Sequence, residues 1–96
     1  MLEISFDPAK RAATLLKRGL DFSDAGVVFA SETVEWADER FDYGELRMVT
    51  AGWLEGRMVI LVWTPRGQAR HIISMRKAND REQANLGEQF TEGRRV

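Results

Sequence analysis

The sequence predicts an α+β fold: N-terminal helices, then a mostly antiparallel sheet, then a C-terminal helix. Three observations carry this. Strand-forming runs at 46–53, 58–64 and 70–76 are separated only by turn chemistry, Glu55-Gly56 and Pro65-Arg66-Gly67. Such short connections suit antiparallel neighbours and leave no room for parallel crossovers. A helical apolar period precedes these runs, and a capping-box pattern follows them. Helices segregated from an antiparallel sheet define the α+β class.

In chain order, residues 2–6 alternate enough for a short strand. Asp7-Pro8 then opens a helix, with Asp7 as cap and Pro8 at the first helical position. Ala9, Ala12, Ala13 and Leu16 recur at i, i+3, i+4 and i+7, which predicts a stripe facing the core. Gly19 ends the helix. Ser23 is the expected cap of a second helix. Phe22 would pack on Val27 as a staple, with Ala25, Val28 and Phe29 buried. A weaker strand at 32–36 is expected to join the three stronger ones. The run 58–64 is almost wholly apolar and should be central. Asn79, with Glu82 three residues on, starts the last helix, which Gly87 should shorten.

The 96 residues, 44% apolar and 30% charged, are read as one domain, 1–96. With no cysteine and one histidine, disulfides and thiolate chemistry are excluded and a zinc site is disfavoured. The longest apolar run, 58–63, is far short of a membrane span, and the first residues lack signal-peptide character, so a cytoplasmic protein is expected. Net charge is −1 but unevenly spread. Residues 1–55 hold six basic and eleven acidic side chains, and residues 56–96 hold eight and four. That asymmetry allows a basic face for phosphates.

The most distinctive segment is basic, Arg70 to Lys77. Regular alternation would put Arg70, Ile72, Ser74 and Arg76 on one face, with His71, Ile73 and Met75 on the other. Two guanidinium forks and a hydroxyl make a phosphate cradle. The plainer reading is a solvated sheet face with two long arginines. Lys17-Arg18 complements the first helix's dipole. Trp36, Trp53 and Trp63 are core or interface anchors, or base-stacking platforms. The acidic residues between Glu32 and Glu45 do not have calcium-loop spacing and read as a solvated loop or a patch for a basic partner. No Ser–His–acid triad, P-loop or dinucleotide fingerprint is present.

With these segments placed, the chain resembles the BrnT family of type II toxin–antitoxin toxins. The residues that carry the resemblance are Phe6-Asp7-Pro8-Ala9-Lys10, Lys17-Arg18-Gly19-Leu20-Asp21-Phe22, and Ala25 with Val28-Phe29. They continue with Arg47, Val49-Thr50, Gly52, Gly56-Arg57 and 59–64, and close with Arg70, Ile72-Ile73-Ser74, Arg76, Ala78 and Arg81-Glu82. The resemblance implies a compact RelE-like ribonuclease fold, with no cofactor and no metal. It implies RNA cleavage that inhibits growth, and neutralisation by a BrnA-type antitoxin in a hetero-oligomer. DNA would be bound only through that antitoxin, and no membrane is implied. The implied catalytic residues are Arg70, Arg76 and Glu82, the arginines stabilising a phosphorane-like state and Glu82 serving as a possible base. Lys17, Arg57, Ser74 and Lys77 would bind RNA phosphates. The chain departs from the family pattern at Arg18 and Trp63, where histidines are common, and at Leu86, in place of a tyrosine. An alternative function is therefore a toxin-fold binding module with weak or lost chemistry, acting as antitoxin partner or co-repressor.

Overall fold

The computed structural model describes residues 3–40 and 42–93. In chain order the elements are β1 (Glu3–Phe6), α1 (Pro8–Arg18), a 3₁₀ turn η1 (Phe22–Asp24), α2 (Ala25–Ala30), β2 (Val34–Ala37), β3 (Met48–Leu54), β4 (Arg57–Arg66), β5 (Ala69–Lys77) and α3 (Asp80–Gly93). The five strands form one sheet in the order β1-β5-β4-β3-β2. The meander β2-β3-β4-β5 is antiparallel, as the short turns require of β3, β4 and β5. At the β3–β4 turn both Glu55 and Gly56 have positive φ, 50° and 77°. Two successive positive-φ residues match the right-handed twist of the strands they join.

The strand at the start of the chain belongs to this same sheet. It pairs parallel with β5, Phe6 opposite Ile72. The helix-first order read from the sequence is therefore incomplete, and the layer α1-η1-α2 is a crossover between β1 and the meander.

Each face of the sheet carries its own core. On one, Leu20, Phe22, Ala25 and Val28 pack on Val59, Leu61, Trp63, Ile72 and Met75. On the other, Leu86 and Phe90 of α3 pack on Val49, Ala51, Met58 and Ile60. This explains the unbroken apolar run of β4, a central strand covered on both sides. It also explains the length of α3. The helix runs through Gly87, which costs about 1 kcal/mol relative to alanine, because Leu86 and Phe90, one turn apart, anchor it. Phe90 meets Trp53 edge to face at 5.2 Å.

Three expectations for the N-terminal layer fail. Helix α1 buries no residue, and Leu16, on its apolar stripe, is 88% exposed. Polar ties hold the helix instead. Arg11 forks onto Asp21 at 2.7 and 2.9 Å, and Arg18 Nη1 donates to the Met75 carbonyl at 2.9 Å. The staple is also absent: Phe22 is buried, but Val27 is exposed. Asp21 caps the turn in place of Ser23, accepting from the Ser23 N–H at 2.9 Å. Helix α2 buries Ala25 and Val28 as expected and comes close to β3 at Gly52. A methyl group there would lie 2.8 Å from Val28 Cγ1 and 2.9 Å from the Val28 carbonyl oxygen.

Candidate active site

A bulge in β5 decides which basic side chains can act together. Val62 pairs with Ser74, but Trp63 pairs with Ile72, so Ile73 is an extra residue. A bulge of this kind breaks the strict alternation of a strand. Partners across the ladder share a face, so Arg70 (opposite Pro65), Ile72 and Met75 lie on the helix-layer face. His71, Ser74 and Arg76 register with Thr64, Val62 and Ile60 on the α3 face. The expected cradle of Arg70, Ser74 and Arg76 is thus split, and the expected placing of His71 opposite Arg76 is reversed.

On the α3 face, Arg76 meets Glu82 through a two-pronged ion pair. Nη1 donates to Oε1 at 2.6 Å and Nη2 to Oε2 at 2.7 Å. Glu82 also closes the predicted capping box: it accepts from the Asn79 N–H at 3.0 Å and its own N–H donates to Asn79 Oδ1 at 2.8 Å. The helix start therefore aims the carboxylate at β5. Arg76 holds the Glu82 carboxyl below its ordinary range, the Asn79 N–H adds to this, and partial burial opposes it. The guanidinium in turn is stabilised in its charged form, chiefly by the hydrogen bond it donates to Glu82. A guanidinium carries five N–H donors, and the fork leaves it with others for a ligand.

This pair lines a groove of about 260 Å³ with Trp36, Asp38, Glu39, Arg40 and Val62. Asp38, Glu39 and Arg40 form one edge of it, which Asp38 organises. The Asp38 side chain, 4% exposed, accepts from Arg40 Nε at 2.9 Å, from Arg40 Nη2 at 3.0 Å and from the Tyr43 hydroxyl at 3.2 Å. Its carboxyl is pulled down to about 2, first by the Arg40 side chain. Arg47 stacks on the Tyr43 ring with 3.8 Å from guanidinium carbon to ring centre, and its Nε is buried without a hydrogen-bond partner. Part of the acidic stretch is therefore a structural knot that presents cations and rings. The sequence reading missed Arg40, which lines the groove, and the stacked Arg47 and Tyr43 of the adjoining cavity. The signal available was three arginine-or-aromatic positions embedded in a carboxylate-rich segment.

The other expected residues lie elsewhere. Arg70 is on the opposite face, its guanidinium carbon 4.1 Å from the Phe29 ring centre and 5.2 Å from that of Trp63. Lys17 and Ser74 share a groove between α1 and β5 with Lys10, Thr14, Arg18 and Ile73. Arg57 and Lys77 share another, beside Trp53 and Gln83. His71 Nδ1 is 2.9 Å from Ser5 Oγ, and burial is the first cause that pushes its pKa down. Of the tryptophans, Trp53 and Trp63 pack in the two cores, and only Trp36 is exposed. Trp63 donates to Thr50 Oγ1 at 2.8 Å, which in turn donates to Glu35 Oε2. Among the described residues no three His, Cys, Asp or Glu side chains converge as metal ligands, and no helix is long and apolar enough to cross a membrane.

A family model described as the ribonuclease toxin BrnT of type II toxin–antitoxin systems matches residues 6–82. That span runs from the end of β1 to Glu82 and so contains both partners of the central ion pair. No curated protein matches the chain.

Proposed function

The chain belongs to the BrnT family of ribonuclease toxins of type II toxin–antitoxin systems, and on that premise we propose that it is a metal-independent endoribonuclease that cuts RNA across the Arg76 groove. Membership brings an RNA substrate and an antitoxin partner. The proposal adds that the fold is a compact relative of the RelE-like ribonucleases, that cleavage inhibits translation and growth in the cytoplasm, and that a BrnA-type antitoxin neutralises it and supplies the DNA-binding part.

The observation that carries the reading is the Arg76–Glu82 fork, set in a groove with Arg40 and Trp36. RNA contains its own nucleophile. The 2′-OH attacks the adjacent phosphorus and loses its proton. The P–O5′ bond breaks, and O5′ takes up a proton. The protein must align these atoms and stabilise the extra negative charge. Arg76 is held in one orientation by Glu82 and lines the groove with N–H donors beyond those the fork uses. Removing one such preorganised donor typically costs about 10²–10³ in rate. Glu82 is ionised and can accept a proton, but a carboxylate held low is a weak base, so its main role is to position Arg76. Trp36 offers a face for base stacking, and Arg40 and Arg47 meet flanking phosphates. Arg70, Lys17, Ser74, Arg57 and Lys77 lie outside this groove and would act only on RNA that extends beyond it.

The test is cleavage of RNA by the purified protein in the presence of EDTA. Arg76→Ala is expected to lose about 10²-fold or more in rate with an unchanged circular dichroism spectrum. Cleavage by Arg76→Ala at the wild-type rate would sink the assignment. A second reading, a toxin-fold partner without chemistry, has one observation in its favour. His71, the only imidazole in the chain, is tied to Ser5 rather than aimed into the groove. Growth arrest on expression separates the two, since the silent module would cause none.

A further inference from the structure

Helix α1 presents an apolar face to solvent that a helix of this size does not ordinarily leave uncovered. At 100° per residue, Ala9, Ala12, Ala13 and Leu16 share one stripe. All four are exposed, and Leu15 is 43% exposed beside them. An isolated 11-residue helix is marginal in water, yet none of this stripe is buried, and only Ala13 of it lines the groove toward β5. The Arg11–Asp21 fork and the Arg18–Met75 hydrogen bond hold α1 in place from the other side of the helix. The stripe is bordered by cations. Lys10 and Lys17 line the adjoining groove of about 220 Å³ against Ile73 and Ser74, with Arg18 on its far side, and no carboxylate lines it. The helix itself contains no acidic residue.

We infer that the outer face of α1, from Ala9 to Arg18, is the docking surface for an amphipathic helix with an acidic flank, carried by the antitoxin. This rests on the family reading for the existence of that partner. The chemistry of the occupant follows from the surface. An apolar side chain as open as Leu16 gains by contact with another apolar side chain, and gains nothing from an RNA backbone. The alanines let a second helix axis approach closely, while Lys10 and Lys17 reward carboxylates along its edge. A second copy of this chain is disfavoured, because a two-fold contact is self-complementary and would set these cations against themselves. The groove shares no lining residue with the Arg76 groove. Binding here therefore leaves the proposed cleavage site chemically separate from the dock.

The experiment titrates the purified cognate antitoxin into the full chain and into two surface variants, Leu16→Asp and Lys10→Glu. Both side chains are exposed, so the variants are expected to keep the wild-type spectrum and melting temperature. Each should weaken antitoxin affinity at least tenfold, and wild-type affinity should fall as salt rises. RNA cleavage by the free variants should stay within twofold of wild type. Wild-type antitoxin affinity in both variants would overturn the proposal. So would a matched loss of RNA cleavage, which would assign the face to RNA. A wild-type dimer that Leu16→Asp converts to monomer would assign it to a second copy and overturn it too. If the chain cuts no RNA while antitoxin affinity still depends on Leu16, the ribonuclease reading fails and the docking surface stands.

Discussion

Asp21 serves two neighbours with one carboxylate. It takes the Arg11 fork and the Ser23 N–H, and both hold its pKa far below the ordinary range, the Arg11 hydrogen bond most. A depressed carboxylate contributes stability above its unfolded pKa of ~3.9 and loses it as pH falls toward the folded value. Asp21→Asn should therefore lower the melting temperature at pH 7, and that deficit should shrink steadily in melts taken below pH 4. His71 responds in a higher pH range. Burial favours its neutral form, so the unfolded chain binds the proton more readily. The stability this lends is present above ~6.5, the unfolded value, and is lost as pH drops through it. In His71→Gln the dependence of melting temperature between pH 7.5 and 5.5 should flatten. That Arg76 and Glu82 are candidate site residues was legible from their order in the chain and the family resemblance. That they hold each other was not, because their fork depends on where the α3 cap places Glu82 relative to β5.

Among the elements, β4 was the easiest to read, since burial on both faces leaves an apolar run that nothing else in the chain imitates. Strand β5 was the hardest. Alternation is a sound rule until an extra residue enters, and nothing in Ile72-Ile73-Ser74 marks Ile73 as unpaired. The bulge arises in the pairing with β4, not in the local sequence. Helix α1 misled for a related reason: a 3.6-residue period marks an apolar face but does not say what covers it. Two substitutions test how the elements join. Gly52→Ala would push a methyl group against the Val28 backbone, where overpacking costs about 1–3 kcal/mol. Urea unfolding should show that loss, with α2 displaced from β3. Glu55 occupies positive φ without being glycine. Glu55→Asn, better suited to a tight hairpin, should gain up to about 1 kcal/mol in the same measurement.

For the molecule as a whole, the unequal halves of the charge distribution were visible in the sequence, but their meaning changed in the fold. Asp38 and Glu39 line the proposed RNA groove, while cations lie along α1. If Arg40, Arg47 and Arg76 each neutralise one phosphate, log affinity for single-stranded RNA should fall against log salt with a slope of about −2. A slope near zero in filter-binding or fluorescence titrations would mean that these arginines do not meet the backbone. The pairing of β1 with β5 has a consequence in time. Ile4 and Phe6 pack against a core whose partners include Ile72 and Met75. Translation adds about 5–20 residues per second, so the first strand waits seconds for the fifth to be made. Through that interval the sheet is missing one edge, and the helix layer lacks Ile72 and Met75 to pack on. The residues of β5 must leave the ribosome before the first strand can find its place in the sheet.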